Sequence, residues 1–182
     1  LEDYNIYIIV GASCAGKTTI VSNNFLNDDT FDEYKDIVWV SETPKYYIIG
    51  RYSIDKRTKG TDAIARQDYY KIPDQVFRLL EKGDKPVVIE GLHFCMHKFF
   101  EQIVNSNAKC KMILVECDLQ TSIDRNAENG ATISDSRLKG FRTMSRNFYD
   151  KYGKFFDGEV IRTDGMSYDE IKSINLSRIM VK

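Results

Sequence analysis

No apolar run in these 182 residues approaches the roughly twenty needed to span a bilayer. A secretory leader is not expected either, because the acidic N-terminus passes straight into a β-rich run. The four cysteines, Cys14, Cys95, Cys110 and Cys117, lack both disulfide spacing and zinc-ligand spacing. Reduced thiols of this kind predict an intracellular, cytoplasmic protein with no membrane partner. Repeats, low-complexity tracts and linkers are all missing, which predicts one domain over 1–182.

Net charge is also scarce, at −1. It is unevenly spread, however. Residues 136–154 carry a local charge of +5 and residues 51–71 one of +3, leaving −9 for the remainder. Basic segments in an acidic chain suggest places where phosphate sits, although a solvated helix face reads the same way. Hydrophobic residues make up 42% and charged residues 29%, a globular balance that excludes a disordered chain.

The most informative stretch is Gly11-Ala12-Ser13-Cys14-Ala15-Gly16-Lys17-Thr18-Thr19. It has the form G-x-x-x-x-G-K-T, a phosphate-binding loop. The apolar run Ile6 to Val10 leads in and a helix-compatible run from Thr18 leads out, so the motif has its strand–loop–helix context. In that context Gly11, Ser13, Cys14, Ala15, Gly16 and Thr19 line a nucleotide with backbone N–H groups. Lys17 adds a charge near the β and γ phosphates of ATP, and Thr18 offers a hydroxyl to Mg2+.

The rest of the chain alternates. A first helix is predicted over 17–26. Two β-rich runs, 36–41 and 45–50, lie close enough to pair antiparallel. Residues 52–60 read as a polar loop. Pro73 opens a helix whose apolar face is Val76, Phe77, Leu79 and Leu80, with Gly83 as its stop. Val87-Val88-Ile89-Glu90-Gly91 and Lys111 to Cys117 read as buried parallel strands. Helices are expected over 95–105, 119–127 and from about 136 towards 150, a short strand over 159–162, and a last helix at the capping box Ser167-x-x-Glu170. The fold class predicted is α/β, a mainly parallel sheet with helices on both faces and an added antiparallel strand pair.

Several side chains carry candidate chemistry. Glu90 closes a wholly apolar strand and precedes a glycine, the place where an acid holds Mg2+; simple exposure at a strand end is the alternative. Asp62, after the basic loop, is a carboxylate that orients an accepting hydroxyl, or else a turn former. Arg125, Arg137, Arg142 and Arg146 follow the penultimate strand and suit a basic lid over a triphosphate, with Arg142 and Arg146 on one helix face. His93, Cys95 and His97 mimic metal ligands, but no second cluster completes a site, so packing is expected. Tyr52, Tyr69 and Tyr70 are candidates for stacking a base, whereas Tyr46-Tyr47 reads as strand packing.

P-loop, strand-end acid and basic lid together resemble the small P-loop kinases over nearly the whole chain. A narrower set of stretches is Gly50-Arg51-Tyr52, Gly60-Thr61-Asp62-Ala63 and Glu90-Gly91. These resemble bacteriophage kinases that phosphorylate the hydroxymethyl group of 5-hydroxymethyluracil in DNA, although Leu92 stands where that family often has a further acid. The resemblance implies ATP and Mg2+ as cofactors, DNA containing 5-hydroxymethyluracil as partner, and the host cytoplasm as location. Kinases of a free nucleoside, nucleotide or small metabolite remain as alternatives, as does a P-loop NTPase that only hydrolyses. A GTPase switch is disfavoured, because the guanine-specificity motif N-K-x-D is missing.

Overall fold

A computed structural model describes residues 4–26, 30–53, 60–92, 94, 96–130 and 133–179. Seven strands form one sheet in the order β2-β3-β4-β5-β1-β6-β7. They are β1 (Ile6–Gly11), β2 (Asp32–Lys35), β3 (Trp39–Glu42), β4 (Tyr47–Ile49), β5 (Val87–Glu90), β6 (Cys110–Glu116) and β7 (Gly158–Arg162). Strands β4, β5, β1, β6 and β7 run parallel, and β3 pairs antiparallel with both β2 and β4. The helices are α1 (Lys17–Val21), α2 (Ile72–Lys82), α3 (His97–Asn105), α4 (Leu119–Glu128), α5 (Asp135–Tyr152), α6 (Tyr168–Lys172) and α7 (Leu176–Ile179). The predicted α/β architecture is therefore the one found, including the antiparallel pair β3–β4. No described helix is long and apolar enough to cross a membrane.

The strands are apolar on both faces because both faces are covered. Along β1, Ile6, Ile8 and Val10 point to one core with α2, α3 and α5, while Tyr7 and Ile9 point to the other with α1 and α6. The first core is rich in rings: Phe94, Phe99, Phe100, Phe148, Tyr152 and Phe156 are all buried. The second holds Tyr7, Phe25 and Tyr46 in mutual ring contacts, with Tyr46 edge-on to both of the others. Tyr46 and Tyr47 are thus packing residues, as expected.

Local chemistry explains most element ends. In α2, Pro73 occupies the first turn, and Gly83 caps the C-terminus in the left-handed region at φ 69°. The capping box at α6 forms as predicted, with Ser167 Oγ accepting from the Glu170 N–H. The first helix departs from a simple α-helix. After Val21 it widens into a π-helical turn, Ser22–Leu26. Asn24 in that turn donates to Ile20 O and Ile174 O and accepts from Leu176 N–H, which ties the C-terminal segment to it. Strand β2 and helix α7 are elements that periodicity does not anticipate. Asp32–Lys35 is mostly polar and sits at the sheet edge, so it carries no buried-strand pattern.

Candidate active site

In a parallel sheet the carboxyl ends of the strands share one edge, and ligands bind there. Here that edge collects Gly50 after β4, Glu90 at the end of β5 with Gly91 after it, the P-loop at the end of β1, Glu116 at the end of β6 and Thr163 after β7. Within the loop, Gly16 is left-handed at φ 95° and is the N-cap of α1. A Cβ there would also come within 2.9 Å of Ile171 Cγ2 on α6. Cys14 is left-handed as well, at φ 63°, without being glycine. Its carbonyl accepts from Arg125 Nη1 at 3.2 Å, so the strained residue is held from behind.

That brace extends further. Arg125 Nη2 donates to Thr163 O (2.6 Å) and Met166 O (2.7 Å), and Nη1 reaches Thr163 Oγ1 (3.1 Å). Thr163 is fully buried, and its hydroxyl donates to Ala15 O at 3.0 Å. The sequence placed Arg125 in a lid with Arg137 and Arg142. Its donors are instead committed to Cys14 O in the loop and to Thr163 and Met166 after β7, so it ties the loop to that segment. Arg137 is exposed on α5 with its guanidinium over the Phe141 ring. Arg142 and Arg146 do share a face. With Glu116, Cys117, Asp118, Arg162 and Asp164 they line a groove of about 410 Å³ at the ends of β6 and β7. Arg146 pairs with Glu116 there. Glu116 closes an apolar strand just as Glu90 does, a signal that would have singled it out. Nothing in the sequence marks Thr163.

Glu90 is 3% exposed, so the alternative of a solvent-facing strand end fails. Burial pushes its carboxyl pKa up. The Lys17 charge and a hydrogen bond from Thr18 oppose that, Asp62 adds to it, and a hydrogen bond from Tyr52 opposes it again. Tyr52 Oη donates to Glu90 Oε1 at 3.1 Å. Thr61 Oγ1 donates to Glu90 O at 2.7 Å. Gly60 sits so close that a Cβ would lie 2.2 Å from Glu90 Oε1, and its φ of 69° is left-handed besides. Asp62 follows in a 3₁₀ turn, exposed, with its charge felt at Glu90, Tyr52, Tyr69 and Cys14. Lys17 Nζ donates to Ala12 O at 2.8 Å. Lys17, Thr18, Glu90 and Asp62 are therefore brought together from three separate stretches of chain.

A Thr hydroxyl beside a buried carboxylate is a hard oxygen donor set of the kind Mg2+ takes. The raised Glu90 pKa makes a prediction. A carboxyl whose folded pKa is raised gives stability below its unfolded pKa and withdraws it as pH rises through the folded one. Wherever Glu90 is ionised in the folded protein it therefore costs stability. Without metal, Glu90→Gln is expected to gain in melting temperature over the wild type as pH rises, yet to bind nucleotide with weaker dependence on Mg2+. Differential scanning fluorimetry and calorimetric titration check the two halves.

Other candidates resolve differently. Tyr52 is 5% exposed and bonded to Glu90, so it does not stack a base. Tyr69 is half-buried, and Tyr70 is 66% exposed. His93 and Cys95 lie outside the described residues, as do 54–59 of the basic segment. The ring of His97 stacks on Phe148, and its Nδ1 lies 3.0 Å from Tyr152 Oη, a packing role. No group of metal-binding side chains of three or more occurs among the described residues. The basic segments are partly neutralised: Arg51 pairs with Glu33, Lys71 with Asp68, and Arg146 with Glu116 and Asp150.

No protein-family model matches the chain, and no curated protein matches it. Among solved structures it is similar to deoxyadenosine kinase from M. mycoides with bound dATP. That likeness has a TM-score of 0.51 and 14% identity over 96% of this chain and 99% of that one. The same kinase with bound dCTP gives 0.49 and 12%, over 96% and 98%. At such identity the likeness is one of fold. The fold, a mainly parallel α/β sheet with the P-loop between β1 and α1, is thus of the kind found in that kinase structure.

Proposed function

We propose that this protein is an ATP-dependent phosphotransferase that moves the γ-phosphoryl group to a hydroxyl of a free nucleoside or nucleotide. The observation that carries the reading is the convergence of Lys17, Thr18, Glu90 and Asp62 at the carboxyl edge of a parallel sheet. P-loop N–H groups and Lys17 hold the β and γ phosphates. Thr18 and Glu90 would hold Mg2+, which neutralises charge on the phosphate oxygens. Asp62 orients the acceptor hydroxyl and takes its proton as the new P–O bond forms and the bond to the β-phosphate oxygen breaks. Arg142, and through it α5, supplies positive charge from the lid side. The fold likeness to a deoxyadenosine kinase favours a nucleoside as acceptor.

One observation favours a second reading, transfer to the hydroxymethyl group of 5-hydroxymethyluracil within DNA. The three stretches that resemble the phage kinases meet in space. Arg51 and Gly60 form an antiparallel bridge with N–H to O distances of 3.1 and 2.6 Å, and Tyr52 and Thr61 both bond Glu90. A DNA substrate would make binding fall steeply with salt, and a duplex base would have to be flipped out.

The test is transfer of labelled γ-phosphate from ATP to a panel: free deoxynucleosides, free nucleotides, unmodified DNA and hydroxymethyluracil DNA. Label is expected on a free nucleoside or nucleotide, with little salt dependence beyond that of ATP. Label on hydroxymethyluracil DNA alone would overturn the free acceptor and promote the DNA base. ATP hydrolysis with no labelled acceptor would leave a P-loop NTPase.

A further inference from the structure

We propose that Glu33, on edge strand β2, is a positioning residue for the phosphoryl-transfer site, clamping the Arg51–Ser53 turn so that the Tyr52 hydroxyl is held on Glu90. This rests on the reading that Glu90 serves the nucleotide and its Mg2+. The clamp is dense. Glu33 Oε1 accepts from Tyr52 N–H at 2.7 Å and Ser53 N–H at 2.9 Å. Its Oε2 accepts from Arg51 Nε at 2.9 Å and Ser53 Oγ at 2.6 Å. Ser41 Oγ on β3 adds a longer bond to Oε1 at 3.3 Å. A carboxylate has about four lone-pair positions, and the four shorter bonds all come from three consecutive residues of one turn. An incidental surface ion pair would need one partner and would specify no backbone position.

Both sides of the clamp are fixed. On the strand side, the β2–β3 turn is pinned to α2. Gln75 Oε1 accepts from Ile37 N–H (2.8 Å) and Val38 N–H (3.1 Å), and its Nε2 donates to Asp36 (3.2 Å). On the turn side, the Arg51 guanidinium lies 4.3 Å over the Trp39 ring, and Gly50 N–H donates to Trp39 O at 2.8 Å. Gly50 itself passes so close to Gly60 that a Cβ would lie 2.3 Å from its carbonyl carbon. The turn can therefore move only as a unit with Gly60, and Gly60 lies against Glu90. The burial of the Tyr52 ring fixes the last link, since its hydroxyl has Glu90 as hydrogen-bond acceptor. The two antiparallel strands thus do more than widen the sheet. They hold the residue that orients a buried carboxylate about which Thr18 and Lys17 are gathered.

A merely stabilising role for Glu33 predicts a lower melting temperature and nothing else. The clamp predicts coupling to Tyr52. Glu33→Ala is expected to raise the Mg2+ concentration that half-saturates ATP binding by about tenfold, with metal-free ATP affinity within about twofold, and Tyr52→Phe to do the same. Because both act through one hydrogen bond, the double variant is expected to fall within about twofold of Tyr52→Phe alone. Glu33→Gln keeps an acceptor for the two backbone N–H groups and should retain much of the wild-type behaviour. Should Glu33→Ala fail to fold, Tyr52→Phe carries the test alone, and wild-type Mg2+ dependence in that variant would overturn the clamp. Effects that multiply in the double variant would overturn the clamp, as would wild-type Mg2+ dependence in a folded Glu33→Ala protein. Calorimetry needs no turnover, so the outcomes separate: Mg2+-dependent ATP binding with no phosphate transfer sinks the kinase reading, while the clamp stands or falls on the titrations.

Discussion

Lys17→Ala is expected to lower the rate of phosphoryl transfer at least about a hundredfold, on the order of 3 kcal/mol of transition-state stabilisation. Lys17 is the only cation within the P-loop itself, and it opens α1, where backbone N–H groups already face the phosphate position. Arg125, which also bonds the loop, has its guanidinium committed to Cys14, Thr163 and Met166. The substitution has a second consequence. Lys17 is the strongest influence opposing the rise in the Glu90 pKa, so its loss raises that pKa further. Any residual activity that needs ionised Glu90 should then decline at a higher pH than in the wild type as the medium is acidified. Initial rates with labelled ATP across pH, together with a melting curve, test both statements. Full activity in a folded Lys17→Ala protein would remove the P-loop assignment.

Asp62→Asn is expected to lose at least about a hundredfold in transfer while ATP affinity stays within about twofold. The amide keeps the shape of the side chain and removes its charge and basicity. Thr61 fixes the 3₁₀ turn to the backbone of Glu90, and a Cβ on Gly91 would lie 2.6 Å from Thr61 Oγ1, so the turn is held tightly enough to aim Asp62. Removing a like charge should also lower the Glu90 pKa, because Asp62 raises it. Metal binding by Glu90 is then preserved or improved, which separates loss of the proton acceptor from loss of the metal site. Single-turnover rates and calorimetry with ATP make the measurement. Collapse of ATP binding with the fold intact would instead make Asp62 a nucleotide or metal ligand, with Glu90 next in line as base.

Much of the fold is legible in the order of residues alone. The strands β5 and β6 are short apolar runs bounded by turn residues, α2 carries its own proline start and glycine stop, and α6 its capping box. These are interactions within a few residues, so composition and spacing report them. Strand β2 is not legible in this way, because an edge strand with polar side chains owes its conformation to the partner it pairs with. The π-helical turn is of the same kind: Asn24 stabilises it by bonding residues 150 and 152 positions away.

The candidate site divides along the same line. A glycine-rich loop between an apolar strand and a helix is a local pattern, and it marked where phosphate is proposed to bind, with Lys17 and Thr18 facing it. The order of strands brought Glu90 beside that loop, and with it a buried carboxylate for which the local sequence left exposure open. Only the tertiary structure decided that Arg125 braces Cys14 rather than covering a triphosphate, that Thr163 supports Ala15, and that Tyr52 faces Glu90 rather than a base. The physical reason is separation along the chain. A hydrogen bond between residues 38 or 148 positions apart depends on which strands become neighbours, and that is set by packing of the whole sheet, not by any window of residues.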